Sequence, residues 1–157
     1  SALKLKEASA SSILIVGNAL KKEFETEVTV IKDRWPNEGP LGGILTALQF
    51  LQGTDLPVMI VACDFPELDT DEIGNLVKHA YLNKDSIIVP RVDGINQWMH
   101  ACWPTNAEEH LHKSFSNGER APHRAVTNYE IVVLERKKES AYFDVDTPED
   151  FEKVKMR

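Results

Sequence analysis

The sequence predicts a three-layer α/β/α sandwich built on a mostly parallel sheet, and three observations carry that reading. Short apolar runs of strand character alternate with segments whose apolar residues recur at helical spacing. Several of those runs are apolar at nearly every position, as strands covered on both faces must be. The chain has 157 residues, 42% of them hydrophobic, and at that size roughly two-thirds of the unfolded surface can be buried. One domain over residues 1–157 is therefore the expected organisation.

The elements follow in order. Ala2 to Ala8 has helical composition and reads as the last turns of a helix. Ile13-Leu14-Ile15-Val16 is a strand stopped by Gly17-Asn18. Ala19 to Thr26 reads as a short helix, and the β-branched run Val28-Thr29-Val30-Ile31 as a second strand. Asp33 to Gly43 is rich in Pro and Gly and forms a loop. From Leu41 the apolar positions Leu41, Ile44, Leu45, Leu48 and Leu51 make a helical stripe, closed by Gly53. Pro57 to Cys63 is the clearest strand, expected at the centre of the sheet and covered on both faces.

Asp69 caps the next helix, with Glu72 at its third position and Ile73, Leu76, Val77, Ala80 and Tyr81 facing inward. Ser86 to Pro90 and Gln97 to Trp103 read as strands. Thr105-Asn106-Ala107-Glu108 reads as a capping box, opening a helix that ends at Asn117-Gly118. Tyr129 to Leu134 and Tyr142 to Val145 complete the strands. Thr147-Pro148-Glu149-Asp150 opens a terminal helix.

Charge narrows the partners. Eighteen Lys and Arg against 25 Asp and Glu leave a net charge of −7, which opposes general attraction to nucleic acid or anionic membranes. The longest apolar runs fall far short of the ~20 residues of a spanning helix, and no signal-peptide pattern opens the chain. A cytoplasmic protein is expected. Cys63 and Cys102 lie in apolar stretches and read as buried thiols, without a CxxC partner. The five histidines form no HExxH motif, and no GxSxG elbow is present.

In a parallel sheet, ligands bind beyond the carboxyl ends of the strands. Asp64 directly follows the most apolar strand, and Phe65-Pro66 stops that strand from continuing. A carboxylate there suits Mg2+, which takes one or two carboxylates together with substrate phosphates. Asp144 and Asp146 end the last strand and could supply the second. Turn-capping by Asp64 and helix-capping by Asp146 are the alternative roles. In the loop Asp33-Arg34-Trp35-Pro36-Asn37-Glu38-Gly39-Pro40-Leu41-Gly42-Gly43, the glycines allow close approach of main-chain N–H groups to a ligand. Tight helix–sheet packing would explain the same glycines. The loop has neither the GK[ST] ending of a P-loop nor the GxGxxG fingerprint.

Three segments in order, Asp33 through Ile44, Val61-Ala62-Cys63-Asp64-Phe65-Pro66 and Asp144-Val145-Asp146-Thr147-Pro148-Glu149-Asp150, together resemble the molybdopterin-guanine dinucleotide biosynthesis protein A family. These are the molybdenum cofactor guanylyltransferases, within the nucleotide-diphospho-sugar transferase superfamily with its Rossmann-like sheet. The resemblance implies Mg2+ on Asp64, with Asp144 and Asp146 as its further ligands. It implies nucleotide contacts from Asp33 and from Gly39, Pro40, Leu41, Gly42 and Gly43. Its substrates are GTP and molybdopterin, and its partners are other proteins of molybdenum cofactor biosynthesis.

Three departures stand out. Where the family reads N-x-N-T-P-E-D, this chain has Asp144-Val145-Asp146, resembling the related cytidylyltransferases. The family's His-Pro-Leu step is Gln97-Trp98-Met99 here. The family's opening strand and its L-A-G-G-x-S-x-R-M-G-x-x-K phosphate loop do not occur in these 157 residues, so the chain is expected to be a piece of a longer protein. The missing strand belongs near the middle of the sheet. The implied reaction is guanylyl transfer to molybdopterin; the alternatives are cytidylyl or another nucleotidyl transfer, or a noncatalytic binding domain that lost the loop.

Overall fold

The structure is a computed structural model that describes residues 2–17, 28–63 and 69–136. Helix α1 (Ala2–Glu7) precedes strands β1 (Leu14–Val16) and β2 (Thr29–Ile31). These two pair in parallel, Leu14 opposite Thr29 and Val16 opposite Ile31. Helix α2 (Pro40–Phe50), β3 (Val58–Val61) and α3 (Thr70–Leu82) follow. The remaining elements are β4 (Ile87–Val92), β5 (Ile95–Asn96), β6 (His100–Trp103), α4 (Ala107–Ser116), α5 (Pro122–Ala125) and β7 (Ile131–Arg136).

The larger sheet has five strands. β6 lies between β3 and β4 and runs against both, so β3 and β4 share a direction. β7 pairs with β4 in parallel on its other side, Ile87 opposite Ile131. The alternation of side chains along β4 and β6 sorts the core into two faces. Ile87, Val89, Ala101 and Trp103 pack with Leu41, Ile44, Leu45 and Leu48 of α2 and with Leu111 and Phe115 of α4. Ile88 and Cys102 pack on the opposite face with Leu76 and Ala80 of α3. Helices on both faces make the three layers expected from the sequence. Among the described residues no helix is long and apolar enough to cross a membrane.

The smaller sheet of β1 and β2 stands apart from the larger one. Between them is a cavity of about 890 Å³, lined by Leu14, Ile15 and Val16 of β1 and by all four residues of β3. Ile44, Ala47 and Leu51 line it from one side, and Ile73 and Val77 from the other. β3 was expected to be covered throughout, yet only Val58 is buried and the next three residues are half-buried, because one flank of the strand opens into the cavity.

Other differences are local. Cys63, expected to be buried, is exposed just beyond the end of β3, whereas Cys102 is buried. Burial pushes the Cys102 thiol up to about 12. Tyr81, expected on the inner face of α3, is 49% exposed. Asp69 does cap α3, accepting the Asp71 N–H at 2.9 Å. The capping box expected at α4 does not form. The Thr105 hydroxyl donates instead to the Thr54 carbonyl at 2.8 Å, and Glu108 accepts from Gln49 at 2.6 Å. Contacts to other elements outcompeted the local cap. The β4–β5 hairpin was not anticipated, although its Asp93-Gly94 turn, with φ of 49° and 81°, is a strong hairpin signal. The helix over Ala19 to Thr26, the strand over Tyr142 to Val145 and the terminal helix lie outside the described residues.

Candidate nucleotide site

β2 ends at Ile31 and releases the chain into the loop that enters α2. Asp33 folds that loop. One carboxylate oxygen accepts the Trp35 N–H at 2.9 Å, the short-range turn that Asp side chains favour. The same oxygen lies 3.1 Å from the hydroxyl of Thr46, a residue 1% exposed that also accepts the Arg34 N–H at 3.2 Å. Thr46 thus ties the start of the loop to the second turn of α2, and nothing in the sequence pattern singled it out.

The glycines differ in their roles. Gly39 has φ of 82°, a left-handed conformation that a side chain strains. It is the N-cap of α2 and brings no side chain to the job, while Pro40 occupies the first turn. Gly42 is a packing glycine: a Cβ there would meet the Trp35 Cβ and carbonyl oxygen at 3.2 Å each. Gly43 has nothing within 4 Å of its Cβ position and lines the cavity together with Asp33. The Leu41 side chain is fully buried in the core, so only its main chain is on offer to a ligand. The beginning of α2 therefore presents N–H groups and the positive end of the helix dipole without side chains in the way.

Gly42→Ala separates the packing role from the rest. Overpacking of this kind costs roughly 1–3 kcal/mol, so the melting temperature is expected to fall by about 2–10 °C. An unchanged melting curve would show that Trp35 yields without cost.

The cavity that Asp33 and Gly43 line also reaches Val16 at the end of β1 and Val61 to Cys63 at the end of β3. The ends of these two strands thus face one space, with Cys63 one residue before Asp64. Asp64, Asp144 and Asp146 themselves lie outside the described residues. Among the described residues no group of three or more His, Cys, Asp or Glu could hold a metal ion.

His100 begins β6 opposite Val61 and has no exposed surface. Burial pulls its imidazole down to about 4, against the opposing pull of the Glu72 charge. It folds in as the neutral ring, while the unfolded chain takes up a proton below about 6.5. Stability is thus full above pH 6.5 and lost as the pH falls toward 4, by roughly 3 kcal/mol. A drop in melting temperature of about 5–10 °C between pH 7 and pH 4.5 is expected, and a smaller one in His100→Gln. Equal drops in the two proteins would exclude His100 as the cause.

Comparison with known proteins agrees with this architecture. Residues 1–133 match the MobA-like NTP transferase domain. A relative from Clostridium perfringens, named "Probable molybdenum cofactor guanylyltransferase", is 23% identical over 151 residues, covering 89% of this chain and 73% of the relative. One of the same name from Opitutus terrae is 27% identical over 123 residues, covering 78% and 60%. Molybdopterin-guanine dinucleotide biosynthesis protein A from Archaeoglobus fulgidus superposes with a TM-score of 0.78 at 18% identity, over 97% of this chain and 81% of its own. The 2-C-methyl-D-erythritol 4-phosphate cytidylyltransferase of Thermus thermophilus gives 0.72 at 12% identity, over 98% and 84%. These two structural likenesses establish a common fold. With residues 1–133 matched, the chain belongs to the MobA-like NTP transferase family.

Proposed function

We propose that this chain is the larger part of a Mg2+-dependent nucleotidyltransferase that moves GMP from GTP to molybdopterin and releases pyrophosphate. The observation that carries the reading is the convergence of Asp33, Gly43 and the end of β3 on one cavity. Membership in the family and the names of its relatives favour the guanylyl branch.

The terminal phosphate of molybdopterin attacks the α-phosphorus of GTP, and the bond to the pyrophosphate oxygen breaks. Catalysis of such a step rests on positioning and charge neutralisation. Gly39 and Leu41 offer main-chain N–H groups to the nucleotide; Pro40 has none, and the Gly42 N–H is given to the Gly39 carbonyl at 3.2 Å, so Gly42 and Gly43 contribute by leaving the approach clear of side chains. Asp33 has one oxygen engaged in the turn, which fixes the direction in which the carboxylate meets the nucleotide. Asp64, with Asp144 and Asp146, would hold Mg2+. The fit is chemical: hard carboxylate oxygens together with substrate phosphates are what this ion takes. Bound there, the ion would neutralise phosphate charge.

Pyrophosphate release by the full-length protein, with molybdopterin and either GTP or CTP, tests the reading. Release with GTP supports it. Release with CTP alone would favour the cytidylyl reading suggested by Asp144-Val145-Asp146. No release, with no thermal shift by either nucleotide, would favour a noncatalytic domain.

We infer further that the cavity between β1 and β3 is the seat of another strand, the one expected from the family resemblance. The apolar lining of the cavity, with strands on two sides and helices on the other two, supports this.

A further inference from the structure

We propose that Arg120 is a positioning residue for the Gly-rich loop, latching it through Glu38 to the turn between α4 and α5. Arg120 Nε donates to Glu38 at 2.6 Å, and Nη1 donates to the carbonyls of Phe115 and Glu119 at 2.8 and 2.9 Å. The guanidinium carbon lies 4.0 Å from the centre of the Phe115 ring, which packs in turn against Trp35 at 5.2 Å between centroids. The main chain closes up at the same place: a Cβ on Gly39 would stand 3.5 Å from the Arg120 carbonyl oxygen. Glu119 braces the turn, accepting the N–H groups of Arg120 and Ala121 at 2.7 and 2.8 Å and pairing with Arg124 at 2.8 Å.

Arg120 is thus fixed by α4 before it reaches the loop, and its planar fork sets Glu38 at one point. Asp33 and Thr46 hold the start of the loop, whereas at its other end Gly39 caps α2 without a side chain. The pair is 39% and 47% exposed, so it adds little to global stability. Its effect is on where the loop sits. Pairing also neutralises a carboxylate beside the main-chain groups offered to phosphate, where an uncompensated negative charge would repel an anion.

The role in nucleotide binding rests on the proposed function above; the latch itself does not. The test compares Arg120→Gln, Glu38→Gln and the double variant in the full-length protein. Two readouts serve: amide hydrogen exchange over Glu38 to Gly43 without nucleotide, and KM and kcat for GTP. Each single variant is expected to raise exchange and KM about tenfold, with kcat and melting temperature unchanged, and the double variant to be no worse than either. Arg120→Lys, which keeps the charge and loses the fork, is not expected to restore KM. Unchanged exchange, or effects that multiply in the double variant, would overturn the latch. Faster exchange with an unchanged KM would overturn the positioning role. Faster exchange in a protein whose wild type turns over no nucleotide leaves the latch standing and removes the nucleotide reading instead.

Discussion

Asp64→Asn in the full-length protein is expected to lower pyrophosphate release about a thousandfold while the melting temperature stays within about 2 °C. A metal ion contributes several kcal/mol of charge stabilisation to a phosphoryl centre, and roughly 4 kcal/mol is a factor of about a thousand in rate. The amide keeps the size of the side chain and removes its charge, so an ion held there as proposed would lose a charged ligand. β3 is held by its pairing with β6, from Val58 opposite Trp103 to Val61 opposite His100, and Val58 sits in the main core. Activity within tenfold of wild type would remove Asp64 from the metal site. A large fall in melting temperature would assign it to the turn instead.

The parts of the fold that were legible in the sequence were those decided by local pattern. Of the stripe Leu41, Ile44, Leu45, Leu48 and Leu51, read as one face of a helix, the first four are at most 1% exposed, and Leu51 is half-buried at the C-cap. Asp69 before an amphipathic run predicted a cap that forms. What the pattern misjudged depends on distant neighbours. Cys63 continues an apolar run, but its exposure is set by the cavity beside β3. Thr105 and Glu108 have the spacing of a capping box, but Thr54 and Gln49 engage them first.

The same division holds at the site. The loop from Asp33 to Gly43 could be found because turn-forming and main-chain-exposing residues cluster in sequence. Arg120 could not, because its partner Glu38 lies 82 positions away and a lone Arg in a polar stretch carries no pattern. Thr46 was hidden by its place in the middle of a helix, where a threonine hydroxyl ordinarily bonds the carbonyl four residues back, as this one can to Gly42 at 3.0 Å.

Extending the 157-residue chain with the strand expected ahead of it should raise the melting temperature by about 10–20 °C. The cavity of about 890 Å³ has the surroundings of a central strand. β1 and β3 flank it, each with a single strand partner among the described residues, and α2 and α3 line its two faces. Left dry, a void of this size would cost on the order of 20 kcal/mol at about 24 cal/mol per Å³, more than the roughly 5–15 kcal/mol that holds a domain together. Left wet, it exposes the side chains of two strands to water. About five apolar residues in extended form would relieve this, each contributing roughly 2 kcal/mol of burial against about 1.5 kcal/mol of ordering. The lining surface leaves water as well, so a net gain near 5 kcal/mol is expected. Amide exchange locates the effect: Leu14 to Val16 and Val58 to Val61 should slow markedly in the extended protein, while β4 and β7, already paired with each other, should change less. Equal exchange in the two proteins, or no gain in melting temperature, would mean that β1 and β3 need no strand between them. Because the same cavity reaches Asp33 and Gly43, a strand seated there would deliver the residues that follow it to the proposed nucleotide site. Stability and nucleotide binding are therefore expected to be gained together.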